Sequence, residues 1–189
     1  LIEEFYYPKY GPGQLWETVA GKIEDMGGVV LKNRKVTRIY TQEGRIAGVG
    51  CEGGAGEERF DCDILISSMP LKDLVAGMEA GQTKVPAGIS RISAGLPYRD
   101  FVTVGVLVKR LSLKNKTKIK TINNQIPDCW IYVQDAGVKM GRIQVFNNWS
   151  PYLVKDVEHS VWIGLEYFCD EGDDFWNMSA KDCGKFAVR

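Results

Sequence analysis

Apolar residues recur every three or four positions from residue 15 to residue 26, which is the spacing of one side of an α-helix. Before this segment, Pro12 lies between Gly11 and Gly13, and proline lacks an N–H donor while glycine accepts positive φ. We therefore predict a turn, then an amphipathic helix that packs along its whole length and stops at Gly27 and Gly28. The apolar positions are Leu15, Trp16, Val19, Ala20, Ile23 and Met26.

Runs of β-branched and aromatic residues predict the strands. Because residues 143–148 alternate in character, we expect two different sheet faces, one in the core and one lining a cavity. The longest run, residues 101–108, is expected at the centre of its sheet. Strands are predicted before Pro12 and at residues 29–31, 35–41, 45–51, 101–108, 129–133, 141–146 and 161–168, with a tight turn at Gly44. Helices are predicted at residues 71–78, 86–96 and 181–188.

Residues 64–66 (Ile-Leu-Ile) lie between acidic residues and two serines. Such a short apolar run predicts a strand buried on both faces, as in a parallel sheet. Ser67 and Ser68 follow at its carboxyl end, where open α/β sheets hold ligands, and Pro70 can open the next helix. An ordinary N-cap serine is the alternative. We predict an α+β fold, with an α/β-like element and a mixed, largely antiparallel sheet flanked by helices.

Composition narrows the class of protein. Lys plus Arg equals Asp plus Glu, 24 each, so the charge gives no support for nucleic-acid binding or for an acidic membrane surface. The five cysteines contain no Cys-x-x-Cys pair, which predicts free thiols in a cytoplasmic protein without zinc. No apolar run reaches the roughly 20 residues of a membrane span.

Two further expectations concern particular segments. The chain begins with Leu1, which suggests a segment of a longer protein. The basic residues 109–120 predict a solvated loop.

The pattern aromatic-Tyr-Pro-x-x-Gly-x-Gly-x-Leu at residues 6–15, the helix, Gly-Gly, and Val-x-x-Ile at residues 36–39 resemble the middle of the flavin-containing amine oxidase superfamily. That superfamily includes protoporphyrinogen oxidases, carotenoid desaturases and, more distantly, UDP-galactopyranose mutases. Residues 63–70 resemble its Asp-x-Val-Ile-x-x-x-Pro strand, whose end lies beside FAD. The resemblance implies that the backbone of Val36 faces the adenine. The other residues implied to lie at the cofactor are Gly11, Gly13, Ser67, Ser68, Met69 and Pro70.

The resemblance extends to Trp-Ile-Tyr at residues 130–132, to residues 141–151 and to residues 166–173, which are similar to the substrate domain of protoporphyrinogen-oxidase-like or mutase-like flavoproteins. It implies that residues 11–75 belong to an FAD domain and that residues 76–189 with 1–10 form the substrate-binding domain. The residues implied to hold a small-molecule substrate are Tyr7, Trp130, Tyr132, Asn148 and Trp149. Lys9 would favour an anionic reduced flavin or bind an acidic substrate. For each aromatic residue, a place in the core is the alternative.

The other segments that could form a phosphate-binding or catalytic site do not have the residue spacing that such a site needs. The glycine loop at residues 52–58 lacks Gly-x-Gly-x-x-Gly spacing and predicts a hairpin turn. His159, the one histidine, is expected at the surface, and the acids at residues 170–174 predict a solvated turn. No nucleophile with a base is recognisable, so catalytic residues and metal ligands are not assigned. That absence fits flavin chemistry, which needs mainly positioning and a tuned field from the protein.

Three functions remain open. The chain would be the substrate-domain part of an FAD-dependent oxidoreductase that takes hydride from an amine, a porphyrinogen-like ring or a polyene, and it would be inactive without the rest of the FAD domain. It would alternatively belong to a nucleotide-sugar mutase, for which Arg99 and Arg142 are the candidate pyrophosphate ligands. The third function is a non-catalytic α+β binding module. A homodimer is one way to cover the doubly buried strand.

Overall fold

The computed structural model describes residues 6–54 and 56–189. The chain divides into two compact units, which we name by their sheets. The four-stranded unit contains the described residues up to Gly28 together with Tyr98–Arg189, and the three-stranded unit contains the described part of Val29–Pro97. The strand pairs among these described residues are all antiparallel, and the predicted α+β class is confirmed. These units do not coincide with residues 11–75 and 76–189, whose assignment to FAD and substrate domains stays a prediction.

The elements follow the chain in this order: α1 Pro12–Asp25, β1 Lys35–Gln42, β2 Arg45–Gly53, β3 Gly56–Asp61, α2 Leu71–Ala80, α3 Ala87–Ala94, β4 Asp100–Val108, β5 Trp130–Tyr132, β6 Met140–Val145, α4 Phe146–Trp149, β7 Val161–Cys169 and α5 Ala180–Ala187. Short 3₁₀ turns lie at Ile122–Asn124 and Pro151–Leu153. None of the described helices has the length and apolar character needed to cross a membrane.

The three-stranded unit is a meander of β1, β2 and β3. The predicted hairpin is confirmed: Glu43 (φ 51°) and Gly44 (φ 77°) form the two-residue turn between β1 and β2 with both residues in the left-handed region. Gly53 pairs with Gly56 at the start of the second hairpin, as predicted for the glycine loop. The sheet order leaves β1 as an outer strand.

Helix α2 packs against β1 and buries Ile39 completely. The contact is closest at Gly81, just after the helix, where an added Cβ would lie only 2.0 Å from the carbonyl oxygen of Ile39. That oxygen also accepts a hydrogen bond from the Thr83 hydroxyl at 3.3 Å. A residue without a side chain at position 81 is therefore needed for the chain to pass this close to β1.

The four-stranded sheet has the order β4-β7-β6-β5. Its core lies on one face, where Leu165, Tyr167 and Cys169 of β7 pack with Phe175 and with Cys183 of α5. The prediction that residues 101–108 cross the centre of the sheet is wrong. Strand β7 pairs with both β4 and β6, whereas β4 has a single strand partner among the described residues.

Helix α1 forms at the predicted place, but its predicted packing does not occur within the described chain. None of its residues is buried, and Trp16 is 67% exposed. The apolar stripe was inferred from spacing alone. Spacing determines which residues share a side of the helix, whereas burial depends on what lies opposite that side.

Three predicted strands do not form. Tyr6 and Tyr7, residues 29–31 and residues 64–66 lie outside strands, while Phe5 of the predicted aromatic strand lies outside the described residues. Ile64 and Ile66 are 80% and 94% exposed, so the doubly buried parallel strand is corrected to an exposed segment. A strand of that kind needs partners at its edges and layers on both faces, and no described strand pairs with this segment.

Several smaller predictions are confirmed. The five cysteines are free thiols. His159 is exposed and contacts the carboxylate of Asp156 at 3.0 Å. A separate observation, which does not test the expected absence of zinc, is that the described ranges contain no group of three or more His, Cys, Asp or Glu residues arranged to hold a metal ion.

Candidate functional site

The four-stranded sheet has a second face, opposite the core, which we call the open face. Side chains alternate along a strand and directly paired residues share a face, so the strand register identifies its members. Several large members are exposed, including Leu107 at 68% and Tyr132 at 58%. The open face consists of Phe101, Thr103, Gly105, Leu107, Trp130, Tyr132, Arg142, Gln144, Trp162, Gly164, Glu166 and Phe168.

A buried carboxylate lies at the centre of the open face. Glu166 is 1% exposed, and its Oε2 accepts a hydrogen bond from Nε of Arg142 at 2.6 Å. Its other oxygen accepts from Nε2 of Gln144. The hydrogen bond to Glu166 raises the pKa of Arg142 further above its usual range, and the Arg142 guanidinium lies 5.7 Å from the ring centre of Tyr132. Both carboxylate oxygens therefore have donors, and Arg142 is fixed beneath an aromatic ring.

An aromatic stack lies beside this cluster. Trp149 of α4 stacks on Trp130 of β5, with ring centroids 4.8 Å apart and an interplanar angle of 28°, and it contacts Tyr7 at 5.1 Å. Burial, with a smaller contribution from Cys129, raises the pKa of the Tyr7 hydroxyl. The structure thus brings together three of the four predicted substrate aromatics. The fourth, Tyr132, follows Trp130 by two positions on the same face of β5.

Asn148 has a structural task that the sequence did not indicate. Its Nδ2 donates to the carbonyl oxygens of Ile126 and Asp128, both at 2.8 Å. Its Oδ1 accepts from Nε2 of the buried Gln125 at 2.6 Å. These bonds attach the segment before β5 to α4, and a role for Asn148 in substrate binding stays a prediction.

Both the ammonium and the backbone carbonyl of Lys9 make contacts within the four-stranded unit. Its ammonium lies over the rings of Tyr152, at 4.2 Å, and Tyr10, at 5.2 Å. Its backbone carbonyl accepts a hydrogen bond from the buried hydroxyl of Ser150 at 2.6 Å. The turn before α1 is thereby attached to the Pro151–Leu153 turn, while contact of Lys9 with flavin or with an acidic substrate stays a prediction.

The predicted cofactor residues fall into two groups. Val36, Met69 and Pro70 line one cavity of about 570 Å³ in the three-stranded unit, together with Arg34 and the side of α2. Ser67 and Ser68 are exposed and do not line it, although the Ser67 hydroxyl accepts a hydrogen bond from the Met69 N–H at 3.2 Å.

Gly11 and Gly13 belong to the four-stranded unit. Gly11 has φ 88° and precedes α1, and Gly13 lies in its first turn. An added Cβ at Gly11 would lie 3.2 Å from the side chain of Leu153. The positive φ of the turn and this close contact both favour glycine at position 11. Whether either glycine touches a cofactor stays a prediction.

The fit of FAD to these residues is partial. The cavity beside Val36 has the volume of a small-ligand site, and among the described strands β1 pairs only with β2. The Gly-x-Gly-x-x-Gly spacing occurs once, at Gly48, Gly50 and Gly53, but these glycines lie within strand β2 and pair with β3. They therefore do not form the strand-to-helix turn that normally cradles a pyrophosphate. Within the described residues no turn suited to the pyrophosphate accompanies this cavity, and contact of Val36 with adenine stays a prediction.

Sequence reasoning missed Glu166, Gln144 and Gln125. One signal was available for the first of these, because Glu166 is the single charged residue in the otherwise apolar strand β7. An acid inside such a strand is buried only if cations or hydrogen-bond donors satisfy it. The donors come from a neighbouring strand whose register the sequence did not reveal.

The comparisons with known proteins concern the fold. No family model matches the chain, and no curated protein matches it. Among solved structures, the crystal structure of reduced UDP-galactopyranose mutase shares the fold with a TM-score of 0.62 at 18% sequence identity, over 87% of this chain and 32% of that chain. The chain thus spans about a third of that protein's length, and the likeness establishes a shared fold.

Proposed function

We propose that this chain is part of an FAD-dependent oxidoreductase and that the open face binds its small-molecule substrate. The observation that supports this most is the stack of Tyr7, Trp149 and Trp130 beside Arg142, which is paired with the buried Glu166, on a sheet face with exposed aromatic residues. The shared fold with a UDP-galactopyranose mutase, together with the sequence resemblance, supports the choice of flavin as cofactor.

The residues of this chain would bind and orient the substrate. Trp130 and Tyr132 offer flat apolar surfaces on one side of β5, and Glu166 fixes the direction of the Arg142 guanidinium. Such preorganisation matters because hydride transfer depends on the distance and alignment of the reacting atoms. Bound FAD would supply the chemistry as the hydride acceptor.

An oxidoreductase is preferred to a nucleotide-sugar mutase because the two candidate pyrophosphate ligands, Arg99 and Arg142, already have partners within this chain. A nucleotide-sugar substrate carries a pyrophosphate, which needs cations that are free to bind it. Arg142 is paired with Glu166, and Arg99 lies with its Cζ 4.7 Å from the ring centre of Phe168. The pairing leaves the centre of the open face close to neutral, which suits an apolar ring system, a polyene or an uncharged amine.

We infer that activity requires protein outside this chain. The one Gly-x-Gly-x-x-Gly run lies inside strand β2 and forms no turn for the cofactor pyrophosphate. Most of the apolar stripe of α1 is exposed, as are Ile64 and Ile66. Surfaces of this kind are suited to packing against further parts of an FAD domain.

The test uses the protein purified from its natural source without denaturation. We expect an oxidised-flavin absorption spectrum that bleaches anaerobically on addition of an amine, a porphyrinogen or a polyene. A colourless protein would refute the flavin proposal. A flavoprotein that none of these substrates reduces, but that isomerises UDP-galactopyranose after chemical reduction, would instead establish the mutase alternative.

A further inference from the structure

We propose that a cavity at one end of the four-stranded sheet, which we call the cationic cavity, binds a small organic anion such as a phosphate monoester. The cavity has a volume of about 320 Å³ and lies between the segment after β4 and the segment before β7. Its polar lining residues are Lys109, Arg110, Lys114, Asn123, Gln125, Glu158 and His159. The inference does not depend on the proposed flavin function.

The charge of the walls favours an anion. Three cations, Lys109, Arg110 and Lys114, face one carboxylate, that of Glu158. In the part of the chain that the structure describes, none of the three cations forms an ion pair, and His159 is held by Asp156. Several like charges around one concavity raise the local concentration of an oppositely charged ligand.

The loop that positions these groups is tied together by its own hydrogen bonds. Lys114 forms a β-bridge with Gln125, and the N–H of Asn115 donates to the carbonyl oxygen of Asn124 at 2.9 Å. The buried side chain of Gln125 is bonded in turn to Asn148. Lys114 therefore projects from a fixed backbone position, whereas the sequence predicted only a solvated basic loop.

The opposite wall is attached to the same loop. The Nδ2 of Asn123 donates to the backbone carbonyl of Glu158. This bond joins residues 35 positions apart along the chain, so the two sides of the cavity are held together without a ligand. A preformed cavity of this kind binds with a smaller entropic cost than two free loops.

The lining also includes carbon surface, which limits the kind of anion. Two apolar residues, Leu111 and the buried Val161, line the cavity together with the polar residues. A bare inorganic ion would leave that surface unused, whereas an ester with a small apolar group would cover it. The volume lies at the small end of the range for ligand sites, so the ligand is a single-ring or short-chain compound.

The test measures binding of phenyl phosphate, inorganic phosphate and phenol to the whole protein by titration calorimetry and by amide chemical shifts. The cavity variant combines Arg110→Gln with Lys114→Gln. Its matched control combines Lys116→Gln with Lys118→Gln, which removes the same charge from exposed positions of the same loop that do not line the cavity. Thermal unfolding of both variants checks that the fold is kept.

We expect saturable binding of phenyl phosphate, tighter than that of either phosphate or phenol. The cavity variant should weaken it about tenfold, because it removes two of the three cations that line the cavity and would lie near the bound anion. The control should change it by less than about twofold, because distant surface charges are screened by salt. Equal losses in the two variants, equal binding of phenol, or an absence of saturable binding would each overturn the proposal.

Discussion

Arg142 and Glu166 face each other across β6 and β7, with Nε of the arginine 2.6 Å from Oε2 of the buried glutamate. The carboxylate is almost fully removed from water, and the guanidinium and Gln144 replace its hydration. Breaking such a pair on one side leaves a buried charge uncompensated, whereas removing both partners does not. Each residue of the pair therefore stabilises the fold only while the other residue is present.

We expect Arg142→Met to lower the free energy of unfolding by about 3 kcal/mol, because the buried Glu166 carboxylate loses its cationic partner. The double variant Arg142→Met with Glu166→Met should recover most of that loss, since neither charge remains. Urea unfolding of the wild type, both single variants and the double variant gives the coupling energy. Additive losses in the double variant would contradict the interdependence.

A second prediction concerns the contact between α2 and β1. Gly81→Ala should destabilise the protein by about 2 kcal/mol, because the new methyl group overlaps the Ile39 carbonyl oxygen. The backbone at Gly81 has φ −79°, which alanine adopts without strain. The loss of stability therefore measures only the overlap with the Ile39 carbonyl oxygen. Gly88→Ala in α3 is the control, since nothing lies within 4 Å of the added Cβ, and it should be neutral or stabilising. Equal effects on the urea midpoint would disprove the contact.

The turn after β7 should make stability depend on acid pH through Asp173. Backbone N–H groups, that of Trp176 first, lower the pKa of its carboxyl, and Trp176 N–H lies 2.7 Å from Oδ1. Because the folded-state pKa is below the unfolded value of about 4, this stabilisation is present above that pH and is lost as the pH falls through the folded-state pKa.

Asp173→Asn should therefore be less stable than the wild type at neutral pH, and the difference should shrink as the pH falls below about 4. Asp174→Asn removes an equal charge from the neighbouring position and controls for net charge. Thermal unfolding followed from neutral to acid pH measures both variants. A difference that stays constant across this range would rule out the proposed cause.

A fourth prediction tests the substrate role of the aromatic stack. In the whole flavoprotein, Trp149→Ala should lower turnover about tenfold or more while leaving the flavin content intact, because Trp130 and Tyr7 lose the ring between them. Trp176→Ala, in the turn after β7, is the matched control and should leave turnover unchanged. Loss of flavin from the Trp149 variant, with normal turnover per bound flavin, would place this residue at the cofactor instead.

Local features were predictable because neighbours along the chain determine them. Helix α1 follows from residue spacing and from Pro12, and the turn at Gly44 follows from the need for positive φ between two paired strands. The sequence also pointed to Trp130 and Trp149, although only as members of a family pattern. That pattern did not indicate that they stack on each other.

The sequence by itself determined the α+β composition of the chain, most helix and strand positions, and the free thiols. The tertiary structure alone decided that β7 is an inner strand, that Ile64 and Ile66 are exposed, and that Glu166 is buried against Arg142. The reason is physical. Periodicity records which side chains share a face of one element, whereas pairing and burial depend on which distant segment lies opposite that face.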